Sequence, residues 1–225
     1  MRFGDLVLFN DHQVIACAKP AGMPTQEDKT GDASLHRLAQ AYCKRDLYLV
    51  HRLDRPCSGL VVFAKTKSAA AALSAGFAEK TVVKKYLAVV PLGLEPADAS
   101  LSDFIVKTGA GKVRVSNEEK EGKNALLDYR TVGKIDNYVL IEITPATGRL
   151  HQIRVQMAAH GFPVKGDVKY GSRRKNKDRS IHLHSYSMTF RHPTKGQKLE
   201  LVCPLPDESV WNAFEFQGHA TIKKM

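Results

Sequence analysis

Between Val50 and Leu60 the chain reads HRLDRPCSG, which places His51, Arg52, Asp54 and Arg55 among otherwise small or apolar neighbours. A carboxylate flanked by two guanidinium groups, set between Leu49–Val50 and the strand-like run Leu60–Ala64, has two readings. It is a surface turn, or it is a reactive carboxylate delivered to a site by a core element. An aspartate so placed can attack as a nucleophile or stabilise an electron-poor carbon. In an extended segment Arg52 and Asp54 share a face and Arg55 points elsewhere. His51 neighbours the motif, and a structural or ligand-facing role suits it better than that of a general base. A hydrolase built on paired carboxylates would need a second acid, and Asp103, Glu142 and Asp167 all fall in ordinary strand or loop settings. Two further groups carry reactive side chains. Tyr86 stands in VVKKYLAVV, where a tyrosine is usually a core residue with its hydroxyl at an edge. TGRLHQIRVQM holds Arg149, His151 and Arg154.

Metal chemistry finds little support in the spelling. Cys17, Cys43, Cys57 and Cys203 are scattered and form no CxxC pair, as expected of small buried apolar residues or uncombined thiols rather than a disulfide framework. Cys203 with His182, His184 and His192 lacks the close ligand pairs of a zinc site. Charge is more informative. The net charge is +11, and residues 165–198 hold ten Lys or Arg against two acidic residues. GSRRKNKDRS is the densest part. So one-sided a field favours a polyanion, and nucleic acid over a membrane surface, because no amphipathic helix accompanies it. No apolar run has the length of a membrane span, and the N-terminus lacks the pattern of a signal peptide, so a soluble, cytoplasmic protein is expected.

The elements that must position these residues follow from hydrophobic periodicity. LVLFN and QVIACAK read as two short strands, 33–44 as a helix, 59–64 as a strand, 66–80 as an alanine-rich helix and 81–90 as a strand. The Gly- and Lys-rich middle, 91–124, carries short strands at 101–107 and 112–115. ALLDYRTV and YVLIEITP are strands, RLHQIRVQMAAHG is a helix ending at Gly161, and SMTFRHP and KLELVCP are a last strand pair. If 150–160 is helical, Leu150, Ile153, Met157 and His160 line one face. Strands outnumber helices without strict alternation, so the expected class is α+β with a mixed sheet. No repeat or linker divides the chain, and a single domain over 1–225 is expected.

HRLDRPCSGL, KKYLAVV and TGRLHQIRVQMAAHGFPVKGDVKYG together resemble the RluA family of RNA pseudouridine synthases. KPAGMPT and LHSYSMTFRHP extend the resemblance to nearly the whole chain. The chain departs from the family pattern at Cys57 (usually threonine), Leu150 (commonly threonine) and Gln156 (frequently histidine), which bears on substrate preference rather than on any reacting group. The resemblance implies a mixed, largely antiparallel sheet with flanking helices and a central RNA-binding cleft. It implies conversion of specific uridines in ribosomal or transfer RNA to pseudouridine, with neither metal nor organic cofactor. Many relatives carry an additional S4-type RNA-binding domain, and with Lys19 already in the first motif this chain is expected to be the bare catalytic domain, acting as a monomer.

By the same resemblance Asp54 is the essential aspartate, with attack on the sugar, attack on the base and a glycal route all open. Tyr86 faces the target base and serves proton removal. Arg154 pairs with the catalytic carboxylate, and Arg52 contacts RNA near the flipped nucleotide. Arg149 and His151 suit RNA-backbone or orienting contacts, and Ile153 is either a wall of the nucleotide pocket or a core residue. GDVKYG offers Lys169 and Tyr170 to RNA, a simple Gly-rich turn being the other reading of that spelling, while Arg173, Arg174 and Lys175 would meet phosphates. The competing reading is a non-catalytic RNA-binding or ribosome-assembly protein on the same scaffold, for which an intact Asp54, Tyr86 and Arg154 would be unnecessary.

Overall fold

The computed structural model describes residues 2–109, 111–116, 118–216 and 223–224. In chain order the principal elements are β1 (Val7–Asn10), β2 (Val14–Lys19), α1 (Leu35–Cys43), β3 (Tyr48–Leu49), β4 (Ser58–Ala64), α2 (Lys67–Ala78) and β5 (Val83–Pro91). They continue with β6 (Asp98–Lys107), β7 (Val113–Ser116), β8 (Lys123–Ile135), β9 (Tyr138–Pro145), α3 (Gln152–Ala159), β10 (Leu183–Arg191), β11 (Lys198–Val202), α4 (Ser209–Asn212) and β12 (Lys223–Lys224). Short 3-10 turns add Phe3–Leu6, Glu119–Glu121 and Val168–Tyr170. The chain packs as two compact units. Of the described residues, one comprises those up to Lys84 with His184–Pro206 and β12, and the other comprises Lys85–Leu183 with Asp207–Phe216.

In the first unit β4 is the spine. It pairs antiparallel with β2 along its whole length, from Val14↔Ala64 to Lys19↔Gly59. On its other edge the C-terminal half meets β3, and the N-terminal half meets β10 in parallel at His184↔Ser58 and Ser185↔Gly59. β11 closes back on β10, and β1 on β2. All seven residues of β4 are buried, the mark of a strand covered on both faces. Its core joins Val14, Ala16, Leu60, Val62, Met188, Phe190 and Leu201 to Ala69 and Leu73 of α2. Both helices start on side-chain caps: Ser34 accepts from Arg37 N–H, and Thr66 from Ala69 N–H. Gly59 is required, because at φ +117 an added Cβ would fall 2.4 Å from the backbone N and O of Ser185.

The second unit is an antiparallel run, β5–β9–β8–β6–β7. α3 lies against this run, with Val155 packed among Ile105, Val113, Ala125 and Tyr170. Among the described residues no helix is long and apolar enough to cross a membrane. The sheet is mixed and largely antiparallel, as the class reading expected. α4 was missed, being a single turn set by Glu208, whose carboxylate accepts from the N–H groups of Val210 and Trp211.

Candidate active site

Asp54 sits just before β4 on a turn closed by a hydrogen bond from Cys57 N–H to Asp54 O at 3.1 Å. It is half-buried between exposed Arg52 and the buried side chain of Cys57. The turn is held by its backbone from the KPAGMPT loop. Thr25 Oγ1 donates to Leu53 O at 2.9 Å and accepts from Leu53 N–H at 3.1 Å. Gly22 N–H donates to Arg55 O at 2.8 Å. Lys19 Nζ reaches the same carbonyl at 3.2 Å while donating to Pro20 O and Met23 O at 3.0 and 2.7 Å. Lys19 is almost wholly buried. Burial pulls its pKa down to about 8, a fall that the neighbouring Cys57 and Asp54 side chains partly offset. A lysine held by three carbonyls is a tie-bar, and it also places a cation in the field of Asp54.

Arg55, inside the turn rather than on an extended strand, is engaged by the neighbouring loop. Its Nε donates to Gly22 O at 2.9 Å, and its guanidinium binds Asp28, Thr30 and Asp32. It therefore braces the loop. His51 is also structural. Its Nε2 accepts from Val62 N–H at 2.9 Å, and its ring packs on Phe77 at 5.3 Å. Burial, with help from the Lys84 charge, pushes its pKa down to about 3.

In the second unit the backbone of Tyr86 stands opposite Ile143 of β9, with its side chain half-buried. Arg154, on α3, is 4% exposed, and Asp167 grips it through Nε–Oδ2 at 2.6 Å and Nη2–Oδ1 at 2.9 Å. Asp167 thus holds no ordinary loop position, because it fixes the guanidinium plane bidentately. Tyr170 supports the same group, its ring 5.1 Å from Arg154 Cζ and its hydroxyl 2.7 Å from His151 Nδ1. Tyr170 is buried, which favours the Gly-rich-turn reading of GDVKYG over an RNA contact by this ring. The exposed Lys169 ties back through Nζ to Gly111 O at 2.9 Å.

The expected face of α3 is only partly realised. Ile153 and Met157 are buried and Leu150 is half-buried, but His160 lies past the helix end, exposed, with Nε2 3.2 Å from Asp103 Oδ1. Arg149 is exposed and donates through Nε to Asn124 O at 2.8 Å. Gln156 donates to Asp103 and to Ala125 O, at 2.7 and 3.1 Å.

The C-terminal imidazoles each have other work. His184 Nε2 donates to Cys203 O at 3.2 Å and Nδ1 accepts from Ser58 Oγ at 2.8 Å, while His192 meets Asp11 at 2.7 Å and His182 meets Glu208 at 3.0 Å. Burial holds His184 down at about 4. Below the ordinary histidine pKa of about 6.5 the unfolded chain therefore binds protons that the folded chain refuses. We expect unfolding free energy to fall as pH drops from about 6.5 toward 4, by roughly 2 kcal/mol at pH 5 from His184 alone, with His51 acting in the same direction. Urea midpoints at pH 7 and pH 5 measure it.

Comparison with known proteins bears on the same residues. The family model described as RNA pseudouridylate synthase matches residues 13–159, a span that contains Asp54, Tyr86 and Arg154. The chain is 32% identical to a ribosomal large subunit pseudouridine synthase C of Buchnera aphidicola, over 90% of this chain and 68% of the relative. It is 28% identical to a tRNA pseudouridine synthase C of Vibrio parahaemolyticus, over 93% of this chain and 95% of the other. Among solved structures, human RNA pseudouridylate synthase domain containing 4 superposes with a TM-score of 0.75 at 25% identity, covering 91% of this chain and 90% of that one. A family match that runs through the Asp54 turn, and a relative 32% identical over most of the chain, lead to one assignment: the chain belongs to the RNA pseudouridylate synthases, of the RluA type.

Proposed function

We propose that the protein converts specific uridines of ribosomal or transfer RNA to pseudouridine, with Asp54 as the reacting carboxylate and with Tyr86 and Arg154 serving the same reaction. The observation that carries the reading is the Asp54 turn. Thr25, Gly22 and Lys19 bind its main chain, so the turn has fixed points besides the Asp54 carboxylate. The reaction is redox-neutral. The N1–C1′ bond breaks, the base turns, C5 joins C1′, and the proton lost from C5 is balanced by one gained at N1.

Each assigned residue has a task that its setting supports. A fixed carboxylate manages the electron-poor sugar or base during cleavage. A tyrosine ring stacks on a flipped base, and its hydroxyl takes part in proton transfer. A permanently charged guanidinium, locked in plane, favours ionised partners. Arg52 and Arg149 are exposed and suit phosphate contacts. The family match spans parts of both compact units, which supports treating 1–225 as one catalytic domain. A monomer working in the cytoplasm belongs to the same reading.

The names of the relatives divide between ribosomal and transfer RNA, so the experiment has to find the site. Pseudouridines mapped by carbodiimide modification and reverse transcription in total RNA, from cells with and without the gene, are expected to differ by the loss of one or a few stops. An unchanged map would overturn the assignment of a cellular target.

A further inference from the structure

The densest basic stretch is an ordered loop. Arg173, Arg174, Lys175, Lys177 and Arg179 are all exposed, and Asn176 in their midst is half-buried. Five cations so close repel one another, so the loop needs an internal anchor. Asn176 provides it. Its Oδ1 accepts from Lys165 Nζ at 2.9 Å, and its Nδ2 donates to Ser180 O at 3.0 Å and lies 3.0 Å from His182 Nδ1.

These partners settle the protons. An amide nitrogen only donates, so His182 Nδ1 is the acceptor and its Nε2–H donates to Glu208. Were the carboxamide turned over, its NH2 would face the Lys165 ammonium and its oxygen would face the Ser180 carbonyl, so the observed orientation is the one the site permits.

The anchor rests on a fixed base. Lys165 N–H donates to Val89 O on β5, and Lys165 O accepts from His182 N–H, both at 2.9 Å. Trp211 packs against the His182 ring at 5.2 Å. At Gly166 an added Cβ would fall 2.6 Å from Asn176 Nδ2, so the carboxamide lies directly on the backbone. The next residue is Asp167, the partner of Arg154. Ser172 makes a second tie here, its Oγ accepting from Gly166 N–H at 3.1 Å and its N–H donating to Asp167 O at 3.0 Å.

We infer that Asn176 is a positioning residue for RNA capture, holding the exposed cations of the 173–179 loop in fixed register with the backbone that carries Asp167. This rests on the reading of that loop as a phosphate-binding face. A neutral side chain that touches no phosphate thereby controls affinity, because a loop released from its anchor must be ordered again when RNA binds.

The test compares two variants of the full chain: Asn176→Ala, and the combined R173A, R174A and K175A. Turnover is read on 5-tritiated uridine RNA, and binding on a fluorescent uridine-containing stem–loop at several salt concentrations. Asn176→Ala removes no charge. It is expected to raise KM and Kd about tenfold, to keep kcat, and to leave the slope of log affinity against log salt unchanged. The triple variant is expected to weaken binding and to flatten that slope by about 0.7 for each phosphate that the protein no longer neutralises.

If the triple variant weakens binding and Asn176→Ala does not, the positioning role is wrong and the phosphate face stands. If the triple variant changes nothing, the phosphate face falls and takes the inference with it. A lower kcat at unchanged KM in Asn176→Ala marks a general folding defect and also overturns the role. Should that variant fail to fold, Ser172→Ala loosens the same register, and an unchanged KM there overturns the inference, whereas a rise supports it.

Discussion

Asp54→Asn is expected to bring tritium release from 5-tritiated uridine RNA below detection, a loss of at least about 10⁴-fold, while unfolding midpoint and RNA affinity stay close to those of the unaltered protein. The separation follows from how the turn is built. Its fixed points are the carbonyls of Leu53, Asp54 and Arg55 and the N–H of Leu53, and asparagine leaves all of them in place. What disappears is the carboxylate that the proposed reaction requires. A binding titration run beside the turnover assay separates loss of chemistry from loss of substrate. Appreciable turnover by the variant would remove Asp54 from the reaction, and the rival reading of a non-catalytic RNA-binding protein would then deserve preference.

Tyr86→Phe is expected to slow turnover by about 10² to 10⁴-fold with RNA binding retained, the size usually seen when a positioned proton-transfer group is removed. Phenylalanine keeps the ring and the strand propensity, and the pairing of residue 86 with Ile143 is a backbone matter. Stability should therefore change little. A core tyrosine that loses an edge hydroxyl would give the opposite pattern, with near-normal turnover and a modest fall in unfolding midpoint. Single-turnover kinetics on saturating enzyme distinguishes the two, since it reads the chemical step without substrate capture.

Local patterns in the sequence located most of the elements. β4 is a continuous apolar run, α2 an alanine-rich helix after a threonine cap, and β8 and β9 alternate clearly. Long-range hydrogen bonds were not legible in the same way. Lys19 looks like any surface lysine in KPAGMPT, and its work depends on a carbonyl 36 residues away. Asp167 looks like part of a Gly-rich turn until α3 brings Arg154 to it. Tyr170 was left open between RNA and a Gly-rich turn for the same reason, because nothing local shows the His151 imidazole that its hydroxyl meets. The boundary between the compact units had no signature at all. The chain first crosses it between Lys84 and Lys85, inside β5, where neither composition nor hydropathy changes.

The cysteines, spread without pattern in the chain, all belong to the unit that carries Asp54. Three are buried, and burial raises the thiols of Cys17 and Cys203 to about 12 from 9.0. Alkylating reagents attack the thiolate, so unfolding should increase the reactive fraction at these two sites by roughly a thousandfold. The protein therefore contains its own chemical clock for one half of its structure. Iodoacetamide uptake counted by mass spectrometry times the openings of the aspartate-bearing unit, while the unit that holds Tyr86 and Arg154 contributes no signal.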